Sequence, residues 1–396
     1  MLLTDENFMK SDKNAIMWFL IILLALLLSG LGIVYLSKSL CRFIVRLSLF
    51  GGAKPFLISL GTVLVLLGVL WWRLGAVNAV VCFLHLLLIR LLCDGLALLF
   101  GGGTRREIAG IAAIVGTLIW LSFAYYNAHT VRRTAYELSD AVSRPFRVVG
   151  FSDSHIGALF PGAELSGYVE RLNAENADIA VIVGDFVDDD TSLSDMEAAC
   201  AALGKLKTKY GVFYVFGNHD EGYFSNSKRG YGKAELTDCL HANGVTVLED
   251  ETVHLTENIR LCGRKDARYA DRLSAEKLTE GMREDYIILL DHEPTDYTAE
   301  SSAGAGLVLS GHTHGGQFLP IRKLIKILGK NDLLYGHEQR GETDFIVSSG
   351  IADWAICFKT GCISEYFVVD ITPRKFMAYL QIKACPFCRN VVSCIM

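Results

Sequence analysis

The chain has 396 residues, 51% of them hydrophobic, and a formal net charge of −5. That charge is unevenly divided: the first 144 residues carry 13 Lys and Arg against 7 Asp and Glu, and the remainder carries 25 against 36. An acidic C-terminal part excludes a general nucleic-acid binder, which needs a basic stripe, so no nucleic-acid partner is expected.

In chain order, residues 15–37, 56–72 and 108–126 are uncharged and rich in Leu, Ile and Val. Each approaches the ~20 residues that a bilayer core requires. Residues 74–100 are also apolar but carry His85, Arg90 and Asp94. Arg90 and Asp94 stand four apart, so they either pair on a helix inside the membrane or Arg90 marks a helix end. Trp71, Trp72, Trp120, Tyr125 and Tyr126 near the segment ends suit interfacial anchors. A cleavable signal peptide explains none of the later three segments. The expectation is a four-helix transmembrane domain over residues 1–126, making the chain a multi-pass membrane protein with membrane lipids as partners. Four crossings put the N-terminus and the C-terminal part on one side. The basic residues Lys38, Arg42 and Arg46 after the first span outweigh an N-terminus with Asp5, Glu6 and Asp12, which leans both ends extracytoplasmic. Residues 127–145 read as a linker, with a short helix through Tyr136 and Leu138.

Beyond the linker, a short apolar strand five times delivers Asp, Asn or His at its C-terminal end. Residues 148–151 lead to Asp153 and His155, and residues 178–183 to Gly184, Asp185 and Asp188. Residues 212–216 lead to Gly217, Asn218, His219 and Asp220; residues 285–290 lead to Asp291, His292 and Glu293. Residues 306–310 end in Gly311, His312, Thr313, His314, Gly315, Gly316 and Gln317. Continuous apolar runs mark strands buried on both faces, and α/β sheets place their ligand sites beyond such strand ends. Carboxylate, imidazole and amide oxygen together suit Mn, Fe or Zn. No cluster contains cysteine, which argues against a structural zinc finger or an iron–sulfur centre. Any one cluster could be a capping Asp or a hydrogen-bonded core His; five agreeing strand ends point to a metal centre.

In order and spacing, Asp-x-His, Gly-Asp-x-x-Asp, Gly-Asn-His-Asp, a later His and Gly-His-x-His resemble the calcineurin-like metallophosphoesterases, over residues 146–372. With Gly-Gly-Gln, residues 345–351 resemble the membrane-associated bacterial phosphohydrolase branch, which implies a bacterial cell membrane. The resemblance implies a four-layer α/β/β/α sandwich of two mixed sheets, with residues 245–262 and 345–372 in the second sheet. It implies two divalent ions, one held by Asp153, His155, Asp185 and His314. The other would be held by Asp185, Asn218, His292 and His312, with a hydroxide bridging the pair. His219, protonated, would donate to the leaving oxygen. Asp220 would orient His219 or cap the following turn, and Asp188 and Asp291 would fix the imidazoles and ions. The implied enzyme is a membrane-anchored phosphodiesterase or pyrophosphatase acting on a lipid-linked or envelope phosphate ester. Two alternatives stay open: a phosphodiesterase of soluble substrates such as cyclic nucleotides, and a transporter or sensor whose domain only binds metal.

Where relatives carry a compact apolar loop, this chain inserts a basic one, residues 319–330. Ile321, Leu324, Ile325 and Leu328 fall at helical spacing, with Arg322, Lys323, Lys326 and Lys330 elsewhere on the wheel. Such a piece either lies on an anionic membrane or is an ordinary surface helix. Eleven cysteines, eight after residue 144, leave the redox compartment open. They include Cys394 and the Cys385-x-x-Cys388 pair in a C-terminal extension, residues 373–396, and no second pair completes a zinc ribbon.

Overall fold

In a computed structural model of the chain, residues 5–46, 52–100, 105–223, 229–319 and 331–374 are described. The basic segment 320–330 and the tail cysteines lie outside them. Eight cysteines fall among the described residues and all are free thiols. The chain divides into two units, Met1–Phe123 and Ala124–Met396.

The first unit is built from α1 (Asp5–Arg46), α2 (Lys54–Leu99) and most of α3 (Arg105–His129). Among the described residues three helices, where four were expected, are long and apolar enough to cross a membrane. The segments expected as the second and third spans run together in α2. Their only break is Gly75, at φ 80 and ψ 166, a conformation essentially restricted to glycine. Arg90 lies well inside α2 and pairs with Asp94 at 3.0 Å. The Tyr35 hydroxyl donates to Asp94, and Arg90 donates to Ser39 Oγ at 2.9 Å. Arg90 and Asp94 thus pair on one helix, and Arg90 does not mark its end.

The second unit contains two six-stranded sheets. Its strands are β1 (Arg132–Asp140), β2 (Phe146–Phe151), β3 (Ile179–Val183), β4 (Val212–Val215), β5 (Val245–Val247) and β6 (Glu251–Thr256). They continue with β7 (Ile259–Gly263), β8 (Tyr286–Leu290), β9 (Ala305–Ser310), β10 (Gly336–Arg340), β11 (Thr343–Val347) and β12 (Glu365–Pro373). One sheet runs β1-β12-β2-β3-β4-β5 and the other β10-β11-β9-β8-β7-β6. Strands β2 to β5 are mutually parallel, as are β7, β8, β9 and β11.

Two expectations change here. Residues 132–140 form a strand in parallel register with β12, with no helix through Tyr136 and Leu138. The strand-rich stretches also divide between the sheets: β5 and β12 join the first, and β6, β7 and β11 the second.

One apolar cluster joins the sheets, with Val148, Val181 and Val215 from the first and Leu261, Ile288 and Leu309 from the second. Another packs Val149, Ala180 and Tyr214 against Leu172, Met196 and Leu236, which lie on helices. A third sets Ile287, Val308 and Phe345 against Leu278 and Tyr297. Apolar side chains thus face both ways from strands such as β3, which is why those stretches lack the alternation of half-exposed strands. Burial on both faces fixes where each strand stops, and so where the loop beyond it begins.

Candidate metal centre

The loops beyond β2, β3, β4, β8 and β9 carry all the residues singled out above, and they meet. Asp153, His155 and His314 form one group of three whose ligand atoms lie within 4.8 Å of one another; Asp185, His292 and His312 form a second. Asp185 Oδ2 faces both, 3.8 Å from His155 Nε2 and 3.1 Å from His292 Nε2. Asn218 Oδ1 lies 2.7 Å from His312 Nδ1. The His155 ring stands 4.9 Å from that of His219 and 5.2 Å from that of His314. Asp153, His155, Asp185 and His292 are buried, whereas Asn218, His219 and His312 are half-buried and form the open side.

The backbone reaches this arrangement by unusual means. Asp153 (φ 51), His155 (φ 37), Asp185 (φ 53), His312 (φ 68) and His314 (φ 47) all take left-handed conformations, which turn the chain sharply at a strand end. Cross-loop bonds hold them, including Asp153 N–H to Gly184 O at 2.9 Å and His155 N–H to Asp185 O at 3.0 Å. Gly217 is glycine for lack of space: a Cβ there would overlap the Asp185 carboxylate and approach His292 Nε2 to 2.8 Å.

The imidazoles are held from behind. His155 Nδ1 lies 3.4 Å from Asp188, His292 Nδ1 lies 2.8 Å from Val183 O, and His314 Nδ1 lies 2.8 Å from Asp353. In each ring Nε2 is left facing the carboxylates, as a metal-ligating imidazole requires. Sequence reasoning reached Asp188 but missed Asp353, whose only signal is its place beyond β11.

Two further expectations change. The buried Asp220 carboxylate accepts the backbone N–H groups of Asp185 (3.0 Å), Phe186 (2.7 Å), Val187 (3.0 Å) and Gly217 (2.7 Å). It staples two ligand loops together and is not directed at the His219 ring. Asp291 does not reach the imidazoles either; its carboxylate pairs with Arg264 at 2.9 Å and with Arg272.

Electrostatics fit a cation site. Burial opposes charge on His155 and His292, yet the surrounding carboxylates of Asp188, Asp185 and Asp153 outweigh it and push both imidazoles above their usual range. Burial also raises Asp185, but His292, His219 and His155 hold it well below the usual carboxylate range. Concentrated negative charge in an apolar interior demands positive charge. His155 Nε2 and His292 Nε2 are buried with no hydrogen-bond partner, and both point toward carboxylates. The residues fit divalent ions. His219 differs: burial, His155 and His314 lower it to about 4 despite Asp185, so it is neutral near pH 7 rather than protonated.

Residues 146–316 match the family model described as calcineurin-like phosphoesterase. The chain carries a calcineurin-like phosphoesterase domain. Its relatives include an uncharacterized metallophosphoesterase of Helicobacter pylori, 30% identical over 59% of this chain and 62% of that one. A second, from Bacillus subtilis, is 28% identical over 57% of this chain and 80% of that one. A third is named a transmembrane protein with metallophosphoesterase domain, from Bos taurus, 30% identical over 55% of this chain and 51% of that one. The phosphoesterase domain and its flanks thus span 62% of the length of the Helicobacter relative.

Proposed function

We propose that this chain is a membrane-anchored phosphodiesterase or pyrophosphatase that works with two divalent ions, Mn, Fe or Zn. One observation carries the reading: two groups of three metal-ligating side chains, each within 4.8 Å, share a face with Asp185 between them. Asp153, His155, Asp185 and His314 would hold one ion, and Asp185, Asn218, His292 and His312 the other. Two such cations, when bound, offset the charge of a phosphate ester and make hydroxide available near neutral pH. The chain's own part is positional. Half-buried Asn218, His219 and His312 face the open side, and His219, neutral there, donates its N–H to the substrate's phosphate or leaving oxygen. Around this site we infer a four-layer sandwich, and in front of it four membrane crossings.

The membrane anchor favours a lipid-linked or envelope phosphate ester. A nucleotide-like ester is the second reading, favoured by Tyr223 and Trp354. Both are exposed, at 59% and 44%, with rings 5.0 Å and 5.8 Å from that of His219, and exposed aromatic faces stack bases. Competing a lipid-linked diester against a nucleoside diester separates the two readings.

The full chain in detergent should contain about two metal ions and, with added Mn, should hydrolyse bis-p-nitrophenyl phosphate; a chelator should abolish both. Asp185→Asn should lose ions and turnover together. His219→Ala should keep its ions and lose ~10²–10⁴-fold in turnover. Turnover that survives both substitutions overturns the mechanism, and a chain that binds metal without turnover is the transporter or sensor alternative.

A further inference from the structure

Behind His314, Asp353 and Lys359 form a buried pair that ends on the last turn of α3. Both are 0% exposed and His314 is 6% exposed. Asp353 Oδ1 lies 2.8 Å from His314 Nδ1 and its Oδ2 lies 3.4 Å from Lys359 Nζ. Lys359 Nζ also donates to the carbonyls of Ser349 (2.7 Å) and Ala352 (3.0 Å). A lysine this buried is retained only when it is paired and hydrogen-bonded.

The Lys359 backbone turns the other way. Its N–H donates to Ala124 O at 2.9 Å, and its carbonyl accepts Asn127 Nδ2 at 3.3 Å. Five residues on, Ser364 N–H donates to Asn127 O at 2.9 Å and its hydroxyl to Ala128 O at 2.7 Å. Asn127 and Ala128 fall in the final turn of α3, where carbonyls lack helical donors; Ala124 lies one turn earlier, and the whole chain of contacts lies within the second unit. The same loop grips the other side of His314. Thr360 and Gly361 N–H donate to Gln317 O at 2.9 and 3.0 Å, and Cys362 Sγ to His314 O at 3.1 Å.

We propose that Asp353 and Lys359 are positioning residues that set His314, and with it the first metal site, and that they tie this site to the end of α3. The inference rests on the metal-centre reading above. A carboxylate on Nδ1 fixes the ring's tautomer and orientation and leaves Nε2 for the ion. Lys359 balances that carboxylate and anchors it to the backbone that caps the helix. A shift of the helix end would therefore reach His314 through one loop. In the second group of three, His292 is held instead by the Val183 carbonyl, and among the described residues no such link to α3 is seen.

The test is metal affinity, measured on the full chain in detergent by titrating Co(II) against a competing chelator. The wild type should bind two ions; if it binds none, the metal-centre reading itself fails and the relay is not the cause. Asp353→Asn should weaken one ion ~10–100-fold and leave the other unchanged. Two ions bound with wild-type affinity would overturn the relay, and equal weakening of both would show a general structural role instead. Asn127→Ala, which removes the side-chain bonds to Lys359 O and to Arg132, should weaken the same ion by a smaller factor. This variant also carries the test should Asp353→Asn not fold. No change in Asn127→Ala would overturn the link to the helix.

Discussion

At the scale of single residues, the ligands were legible because their chemistry is rare and their positions repeat at strand ends. Their supports were not. Arg264, 3% exposed, meets Asp291 at 2.9 Å, Asp296 at 3.0 Å and Glu300 at 3.2 Å. Nothing in spacing joins an arginine to carboxylates 27 to 36 positions away, and the same holds for Lys359 and Asp353. Only the fold brings such pairs together. Burial together with Asp291 already pushes Glu300 well above the usual carboxylate range. Arg264→Met would leave two buried carboxylates facing each other with less compensation. Removing one partner of a buried ion pair costs about 3–5 kcal/mol, so a large fall in urea midpoint is expected, seen by tryptophan fluorescence. A variant within about 0.5 kcal/mol of the wild type would mean that Arg272 alone neutralises Asp291. Asp220 teaches the same lesson. A Gly-Asn-His-Asp motif announces an acid beside a histidine, yet the carboxylate is spent on four amides of two loops.

At the scale of elements, the strands that carry ligands were readable because both faces are buried, leaving uninterrupted Val, Ile and Leu. The strand β10, Gly-His-Glu-Gln-Arg, has no such signature; it forms because β11 offers an antiparallel partner across a turn at Gly341, φ 63. The strand β1 was misread for a similar reason. Its residues have no decisive period, and its structure is set by a nine-residue register with β12, from Arg132 opposite Glu365 to Asp140 opposite Pro373. Side chains hold that edge: Arg133 Nε lies 2.8 Å from Glu175, which also accepts the Tyr366 hydroxyl at 3.0 Å. The Arg133 hydrogen bond, opposed by burial and aided by Tyr366, lowers the Glu175 carboxyl. A depressed carboxyl contributes stability above its unfolded value, near 4.3, and loses it as pH falls through the folded value. Glu175→Gln should therefore destabilise at pH 7 by less than about 1 kcal/mol, since Arg133 is 41% exposed and screened. The difference should shrink toward pH 4. A difference that grows on acidification would show that the ion pair is not what holds β1.

At the scale of the whole molecule, the pass number decides whether the phosphoesterase domain shares a side with the N-terminus of the chain. An odd number of crossings puts its two termini on opposite sides and an even number on the same side. At 1.5 Å per residue, the 46 residues of α2 would extend about 69 Å, more than twice a ~30 Å bilayer core. Gly75 divides it into halves of about 21 and 24 residues, each near the ~20 needed to cross. The residues before the break have the chemistry of an interface. Trp71 and Trp72 are 65% and 80% exposed, and the Arg73 guanidinium lies 5.4 Å over the Trp72 ring; aromatic rings and a cation belong at the headgroup level. An interface at mid-helix supports the proposal that α2 crosses twice, which would give four crossings in all. The C-terminal end of α1, with Lys38, Arg42 and Arg46, should then be cytoplasmic and both termini outside. Protease-cleavable tags at the two ends, tested in intact and permeabilised cells, separate the cases. Both tags cleaved in intact cells is the expected result. Both protected would keep four crossings and reverse the side, whereas one cleaved and one protected would mean that α2 crosses once and that Gly75 bends a helix without returning it.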